Sequence, residues 1–349
     1  MSRLRQSWAM PSAPRPIVII GAGGIVKDAH LPAYAKAGFE VAGLFDTDGA
    51  RAQALAAAWD IPTVFASLED AAAQEAVFDV AAPPASHQAI LSALPEGASV
   101  LLQKPMGLNL EEATAIRALC RARGLNAAVN FQLRYSPMML AVADAIARGD
   151  LGELVEIEVH LNLVTPWHLF PHLNDNPRVE IVSHSIHYLD TIRALAGDPT
   201  AVFARSYGHP SSPLSDTRTS AILDYGSTLR VTLSINHHHD FGRRFQHAAF
   251  RVEGTKGAAM VKLGLLLDYP TGEADELWIT GLGGPWTQVP LNGRWFPDAF
   301  VGPMANLQRF AAGEDDLLAT HVEDAWATMA LVEACYQSTT QPGTPLPAN

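Results

Sequence analysis

The first 130 residues alternate between short apolar runs and segments with helical character. The apolar runs are PIVIIG (16–21), VAGLFD (41–46), TVFA (63–66), FDVAAPP (78–84), ASVLLQKP (98–105) and NAAVNF (126–131). The first, PIVIIG, is a short apolar run of the kind that is typical of strands buried on both faces. Because strands that alternate with helices form parallel sheets, the pattern predicts an α/β fold with a doubly wound, Rossmann-type sheet.

The pattern changes after about residue 130. A predicted helix at about 137–149 precedes longer runs in which apolar and polar residues alternate, such as ELVEIEVHLNLV and TLRVTLSI. This alternation indicates a large, mostly antiparallel sheet, and a last helix is predicted at about 321–338. We therefore predict a disordered leader over 1–15, a nucleotide-binding domain over 16–130 and an α+β domain over 131–349.

Composition narrows the range of partners. The 349 residues carry a net charge of −12 and contain no run rich in Lys and Arg, which argues against binding to nucleic acid or to an anionic membrane. Two cysteines, Cys120 and Cys335, form no disulfide framework and indicate a reducing compartment. The leader lacks the apolar block of a signal peptide, and no apolar run approaches the ~20 residues of a membrane span. We expect a cytoplasmic protein.

A glycine-rich turn follows the first predicted strand, and a carboxylate ends the second. The turn contains Gly21, Gly23, Gly24, Ile25 and Val26. Its glycines permit a tight bend and let backbone approach a pyrophosphate, and the helix that begins near Ile25 offers N–H groups to the phosphates. Val26 stands where the fingerprint has Gly or Ala. Asp46 can accept both ribose hydroxyls and would repel a 2′-phosphate, so we predict NAD rather than NADP. The alternative is a Gly-rich turn beside a solvated aspartate.

Two further turns lie at the same predicted edge of the sheet. Ala82, Pro83 and Pro84 form a rigid turn after the fourth strand, and His87 behind them either faces the cofactor or is a surface residue. Gln103 and Lys104 end the fifth strand. Burial there would lower the pKa of Lys104 and make it a usable proton donor or acceptor, or the charged ammonium could stabilise an alkoxide.

Five segments in order resemble the Gfo/Idh/MocA family of NAD(P)-dependent sugar oxidoreductases. They are GAGGIVKDAHLPAY, FDTDGARAQALA, AAPPASHQAILSAL, QKPMGLNLEEA and HYLDTIRALAG. The resemblance covers nearly the whole chain from residue 16. The family's usual E-K-P is Q-K-P here, so Lys104 is retained and Gln103 replaces an acid, either favouring an anionic ligand or hydrogen-bonding the cofactor as an amide.

The resemblance assigns chemistry to the helical segment 180–197. It implies that His187 exchanges a proton with the substrate hydroxyl. Many members carry an Asp four residues earlier, where this chain has Ser183. Either Lys104 and His187 act as a pair without this acid, or His184 takes part in the proton transfer. Asp190 either orients the His187 ring or supports packing. Without the resemblance, His187 could equally be a hydrogen-bonded core histidine.

A metal alternative also exists on this helix. His184 and His187, together with His168 or His172, could hold a divalent ion. Hydride transfer needs no metal, and an i,i+3 pair is a weak signal, so we predict none. In NHHHD (236–240), alternation sends His238 to the opposite face from its neighbours, so this run is not a ligand set, although one member could line a pocket.

The remaining substrate candidates lie in loops. Trp167 and His168 precede the helix, and an aromatic face there suits stacking on a sugar ring. Gln132 and Arg134 follow the last strand of the first domain; either could reach substrate, and Arg134 could equally be a structural clamp.

These expectations combine into one reaction. Hydride passes between NAD and a carbinol carbon of a sugar, polyol or sugar acid, His187 takes the hydroxyl proton and Lys104 stabilises the alkoxide. The alternatives are a redox-neutral isomerase or lyase with tightly bound NAD, and a non-catalytic protein that senses NAD or a sugar. The resemblance also implies a homodimer or homotetramer. The run TLRVTLSI could supply a sheet face for that contact, but a face covered by the chain's own helices would show the same pattern.

Overall fold

The computed structural model describes residues 4–170, 173–174 and 176–347. The described chain divides into unit 1, Met1–Ala141 with Leu291–Met329, and unit 2, Val142–Pro290 with Ala330–Asn349. The predicted boundary near residue 130 misses the return of the chain to unit 1 from residue 291. Local patterns do not reveal this return, because only tertiary packing shows which sheet a distant helix covers.

Unit 1 is built on a parallel sheet with the order β2-β1-β3-β4-β5. Three of these strands, β1, β3 and β4, are buried along their whole length, as expected of strands covered by helices on both faces. The strands are β1 Ile17–Ile20, β2 Val41–Phe45, β3 Val77–Val80, β4 Ser99–Leu102 and β5 Asn126–Val129. The helices are α1 Leu31–Ala37, which continues from a π-helical turn Val26–His30, α2 Gly49–Ala58, α3 Leu68–Ala72, α4 His87–Ala93, α5 Leu110–Ala122 and α8 Val301–Ala311. Helix α6, Pro137–Ala147, begins in unit 1 and continues into unit 2.

Two local predictions for unit 1 need correction. The run 63–66 is not a strand, because Val64 makes only an isolated bridge to Leu44. Residues 4–15 are not a disordered leader: Trp8 packs on Tyr135 and donates its indole N–H to Asp315 over 2.8 Å. Buried Leu4 lies in the same segment. An apolar side chain and an indole suffice to anchor a segment that has no strand or helix pattern.

The segment Leu291–Met329, in which the chain returns to unit 1, completes this unit. Helix α8 packs against β4 and β5, and its buried Met304 and Leu307 join the core that surrounds β1. Beyond α8, the N–H of Val129 donates to the carbonyl of Thr320 over 2.8 Å. The segment therefore also supplies backbone partners at the β5 side of the sheet.

Unit 2 contains a sheet with the order β13-β12-β11-β10-β6-β9-β8-β7 over the described residues. All neighbours are antiparallel except β6 and β9, which are parallel, so the predicted large, mostly antiparallel sheet is confirmed. The strands are β6 Leu154–Asn162, β7 Ala201–Tyr207, β8 Arg218–Asp224, β9 Arg230–Asn236, β10 His247–Gly254, β11 Gly257–Lys262, β12 Glu276–Gly281 and β13 Thr287–Gln288. The helices are α7 Ile186–Ala196, preceded by a π-helical turn Ile181–Ser185, and α9 Val322–Thr340, which begins in unit 1.

The apolar residues of β9 point to the covered face. Val231, Leu233 and Ile235 are buried, whereas Arg230 and Ser234 are exposed and Thr232 is partly buried. The run TLRVTLSI therefore packs inward, which is the alternative that its pattern left open. In the described part of the chain, no helix combines the length and hydrophobicity needed to cross a membrane.

Candidate active site

The turn after β1 has the geometry of a phosphate cradle. Gly21 has φ 113°, and a Cβ there would lie 2.7 Å from the carbonyl oxygen of Ala81, so only glycine fits. A Cβ added to Gly23 would meet no atom of the described residues within 4 Å, which leaves open space above the turn. Val26 is fully buried in the core. Val26, which departs from the dinucleotide-binding fingerprint, thus serves to pack the core. The glycine turn itself has the space and the backbone conformation to fit a diphosphate.

Asp46 is held by this turn. Its carboxylate accepts the N–H of Ala22 over 2.6 Å, the N–H of Asp48 over 2.8 Å and the guanidinium of Arg51 over 2.7 Å. Burial opposes ionisation of Asp46, but the hydrogen bonds from Arg51, Asp48 and Ala22 outweigh it and lower its pKa. The site therefore presents an anion with an exposed cation beside it.

The turn after β3 carries a buried histidine. His87 is fully buried, and its Nε2–H donates to the carbonyl of Ala82 over 3.0 Å. Burial lowers the pKa of His87 to about 4, so the imidazole is neutral at neutral pH. His87 is not a surface residue; it shapes the turn formed by Ala82, Pro83 and Pro84.

A buried polar network that the sequence patterns did not predict lies behind these turns. Nδ1 of His30 is 2.6 Å from the Oδ2 of Asp79, which also accepts the hydroxyl of Tyr34 over 2.8 Å. Amide nitrogens of Gln103 and Asn130 each lie 3.4 Å from Nε2 of His30. Asp79 sits within an apolar strand pattern, and its charge there is the signal that could have revealed the network.

Gln103 and Lys104 have different surroundings. The Gln103 side chain is buried; its Oε1 accepts the backbone N–H of Lys104 over 2.9 Å while its amide nitrogen faces His30. These contacts give Gln103 a structural role, and the cofactor contact predicted for it stays a prediction. Lys104 is partly buried, and desolvation of its ammonium lowers its pKa to about 8.

The helix of unit 2 buries its polar residues. His187 and Asp190 are buried, and Ser183 and His184 are partly buried. The π-helical turn Ile181–Ser185 directly precedes this stretch. Such turns insert an extra residue into a helix and are frequent at functional sites.

An aromatic and imidazole cluster surrounds His184 in unit 2. The ring centroid of Trp167 lies 5.1 Å from that of His184 and 5.8 Å from that of His237, and the rings of His184 and His237 are 4.7 Å apart. Buried Glu180 contacts His237, with 3.4 Å between Oε1 and Nε2. The sequence identified Trp167, His184 and one of the 237–239 histidines separately, but it missed Glu180.

Other predicted residues lie elsewhere. His168 is exposed and His172 lies outside the described residues. His238 pairs with Asp240 over 3.0 Å. No group of three or more His, Cys, Asp or Glu within the described ranges is arranged to hold a metal ion.

Arg134 and Gln132, which were predicted as substrate contacts, both lie within unit 1. The guanidinium of Arg134 donates to the carbonyl of Ala319 over 2.8 Å and to Asp324 over 3.0 Å. These contacts support the clamp alternative for Arg134, and its contact with substrate stays a prediction. Gln132 is buried.

Comparisons with known proteins agree with this fold and turn. A family model described as an oxidoreductase family with an NAD-binding Rossmann fold matches residues 15–131, and a model of the GFO/IDH/MocA C-terminal domain matches residues 139–260. Together these define a nicotinamide-dependent oxidoreductase. The chain belongs to the GFO/IDH/MocA family, as its sequence predicts.

Several named relatives cover most of the chain. The D-apiose dehydrogenase of Paraburkholderia graminis is 26% identical over 341 residues, or 92% of this chain and 86% of the relative. The 1,5-anhydro-D-fructose reductase of Ensifer adhaerens is 25% identical over 260 residues, or 73% and 77%. An Agrobacterium radiobacter oxidoreductase, solved with NAD+, L-tartaric acid and magnesium, has a TM-score of 0.76 at 21% identity and covers 94% of this chain and 96% of that one. At 21% identity, this likeness shows that the two proteins share a fold.

Proposed function

We propose that this protein is an NAD-dependent dehydrogenase that oxidises a carbinol carbon of a sugar, polyol or sugar acid. One observation carries the proposal. Partly buried Lys104, whose pKa burial lowers to about 8, follows β4 in the parallel sheet whose β1 turn forms the phosphate cradle. The names of the relatives, a D-apiose dehydrogenase and an anhydrofructose reductase, support a carbohydrate-like substrate.

The cradle residues would hold the dinucleotide. Gly21, Gly23 and Gly24 would admit the diphosphate, with the N–H groups of the following helical turn beside it, and Asp46 would accept the ribose hydroxyls. Bound nicotinamide would accept the hydride that leaves the substrate carbon. We favour NAD over NADP because the lowered pKa of Asp46 keeps an anion where a 2′-phosphate would lie.

Lys104 and His187 are the proposed catalytic residues. As the hydride leaves, the hydroxyl proton passes to the imidazole of His187 and the carbon–oxygen bond becomes a carbonyl. The ammonium of Lys104 stabilises the alkoxide character that develops on the oxygen. We propose His184 and Trp167 as substrate contacts, because Trp167 offers an aromatic surface next to His184.

A redox-neutral reaction with tightly bound NAD is the second candidate. Ser183 favours it, because the family often has an Asp at this position and a hydroxyl cannot hold an imidazolium by charge. The two candidates differ in stoichiometry. One NADH per product molecule supports the dehydrogenase, whereas product without net NADH supports the alternative.

The test is a screen of aldoses, polyols and sugar acids with NAD and NADP in parallel. On the best substrate, Lys104→Met and His187→Asn should each lower kcat/KM by about 10²-fold or more while NAD still binds. Because Lys104 is charged below its pKa of about 8, wild-type kcat/KM should fall as the pH rises through about 8. A rate that rises there, or variants with wild-type rates, would refute the assigned roles.

We also propose that the protein forms a homodimer or homotetramer in a reducing, cytoplasmic compartment. The two cysteines support a reducing compartment, because Cys120 and Cys335 are buried free thiols.

A further inference from the structure

The backbone N–H of Lys104 is held by a side chain. One residue earlier, the N–H of Gln103 still donates to the carbonyl of Val80, at the end of the neighbouring strand β3, over 2.9 Å. The N–H of Lys104 donates instead to the side-chain Oε1 of Gln103, also over 2.9 Å. The Gln103 amide therefore fixes the backbone from which the Lys104 ammonium extends.

This hydrogen bond also decides how the Gln103 amide is oriented. Because the N–H of Lys104 needs an acceptor, the amide oxygen faces Lys104 and the NH2 group faces Nε2 of His30, 3.4 Å away. A second amide nitrogen, that of Asn130, lies at the same distance from Nε2. A proton on Nε2 would point at an NH2 group, so the ring proton belongs on Nδ1, from which it donates to Oδ2 of Asp79 over 2.6 Å.

Asp79 is the fixed end of this series of hydrogen bonds. It lies on β3 and is fully buried. Tyr34 on α1 donates its hydroxyl to the same Oδ2 over 2.8 Å. Burial and the neighbouring Asp79 raise the pKa of Tyr34 well above its ordinary value, so the hydroxyl keeps its proton. The ring of His30 also packs on that of Phe300, with 5.0 Å between centroids. Contacts at both nitrogens and on the ring therefore fix its orientation.

The carboxyl of Asp79 has a cost that packing alone does not explain. Asp79 is the one charged residue in the β3 sequence VFDV, and its Oδ1 has no hydrogen-bond partner among the described residues. An apolar side chain would fill the same place in the core without the cost of burying a polar group that is only partly satisfied. The cost is explained if the carboxyl serves to orient the residues that lead to Lys104.

We propose that His30 and Asp79 are positioning residues for Lys104, because they hold the Gln103 amide and this amide holds the Lys104 backbone. The inference rests on the proposed dehydrogenase function, in which the Lys104 ammonium stabilises the alkoxide. A catalytic group must be kept close to its productive geometry, and a displacement of about 1 Å can lower a rate about 10²-fold. Without His30 the Gln103 amide can rotate, and the Lys104 backbone loses its fixed acceptor.

The first test needs neither NAD nor substrate. It measures hydrogen exchange of the Lys104 amide by NMR, and exchange that does not vary with small additions of denaturant reports local opening alone. Gln103→Met removes the acceptor and should speed this local exchange about tenfold, as expected for the loss of one hydrogen bond. His30→Phe keeps a ring beside Phe300 but removes the partner of the Gln103 amide, and should speed it about threefold or more.

A double variant and a control show whether His30 acts through Gln103. His30→Phe/Gln103→Met should exchange at Lys104 no faster than Gln103→Met, because two residues in one series of contacts are not additive. Tyr135→Phe removes another buried hydrogen bond of unit 1, the one to Asn306. It should leave the local exchange of Lys104 at the wild-type rate even where it lowers global stability.

The second test follows turnover of the best substrate. His30→Phe and Asp79→Leu should each lower kcat about three- to tenfold with KM for NAD unchanged. Asp79→Asn should stay within about twofold of wild type, because its amide oxygen can take the place at which the two donors of His30 and Tyr34 converge. If His30→Phe does not fold, His30→Phe/Asp79→Asn retains an acceptor for the Tyr34 hydroxyl and should show the same losses.

The two tests distinguish failure of this inference from failure of the proposed function. Wild-type turnover in Lys104→Met would refute the catalytic role of Lys104, whereas the local exchange rates would still show whether His30 holds its backbone. Local exchange of Lys104 that stays at the wild-type rate in His30→Phe would overturn the inference. So would additive effects in the double variant, or losses that appear in KM for NAD instead of kcat.

Discussion

At the scale of single residues, the environment decides which chemistry a side chain can perform. Lys104 follows β4 and His87 begins α4 after the turn that follows β3, and burial lowers the pKa of both. His87 is neutral and donates a hydrogen bond to the carbonyl of Ala82 in the preceding turn. Lys104 has a pKa of about 8, so it can gain or lose a proton close to neutral pH. The sequence predicted that Lys104 lies at the cofactor edge and left His87 open between a cofactor contact and a surface position; burial and hydrogen bonds are what distinguish the two side chains.

Coenzyme choice should depend on Asp46 and Arg51. Arg51 is about half exposed in its pair with Asp46. In Asp46→Ser the freed guanidinium can pair with a 2′-phosphate, so kcat/KM should fall about tenfold or more for NAD and rise for NADP, in line with ~1.5–3 kcal/mol for a charged hydrogen bond. Steady-state kinetics with both coenzymes would measure the change. Asp46→Ser/Arg51→Ala is the control, and NADP activity that persists in it would contradict the role of Arg51.

At the scale of elements, side chains tie the strand ends of unit 1 to its first helix. His30 in the π-helical turn reaches Asp79 on β3, Gln103 after β4 and Asn130 after β5. Hydrophobic periodicity predicted most of the strands that this network joins, because a buried strand can be recognised from its own run of apolar residues. It did not predict the network, because these residues are 24 to 100 positions apart in the chain and only the register of the parallel sheet brings them together.

Breaking this network should destabilise unit 1. His30→Leu leaves Asp79 buried with the Tyr34 hydroxyl but without its imidazole partner. The free energy of unfolding should fall by about 3–5 kcal/mol, as is typical when one member of a buried pair is removed. Chemical denaturation would measure it. Lys36→Met, which breaks an ion pair whose lysine is 59% exposed, should cost no more than about 1 kcal/mol; equal losses in the two variants would contradict the prediction.

At the scale of the whole molecule, the uncovered face of the unit 2 sheet has a polar centre with large apolar residues on either side of it. One row of paired residues crosses it from β7 to β13: Phe203, Ile222, Thr232, Glu158, Arg251, Met260, Trp278 and Gln288. Glu158 and Arg251 form an ion pair over 2.9 Å. The β7 edge is protected, because the N–H groups of Ala204 and Ser206 donate to the hydroxyls of Ser338 and Thr339 on α9. The face, rather than the edge, is therefore available for assembly.

We expect this face to form the contact between copies of the chain. Phe203 is 65% exposed and its cross-strand partner Ile222 is 51% exposed, which is unusual for two large apolar residues side by side. Phe203→Glu/Ile222→Asp places like charges at the predicted contact and should convert the oligomer to a monomer in light scattering coupled to size exclusion. Leu317→Glu, at an equally exposed residue of unit 1, should leave the mass unchanged. An unchanged mass in the double variant would mean that copies meet through another surface, and a wild-type monomer would exclude the assembly.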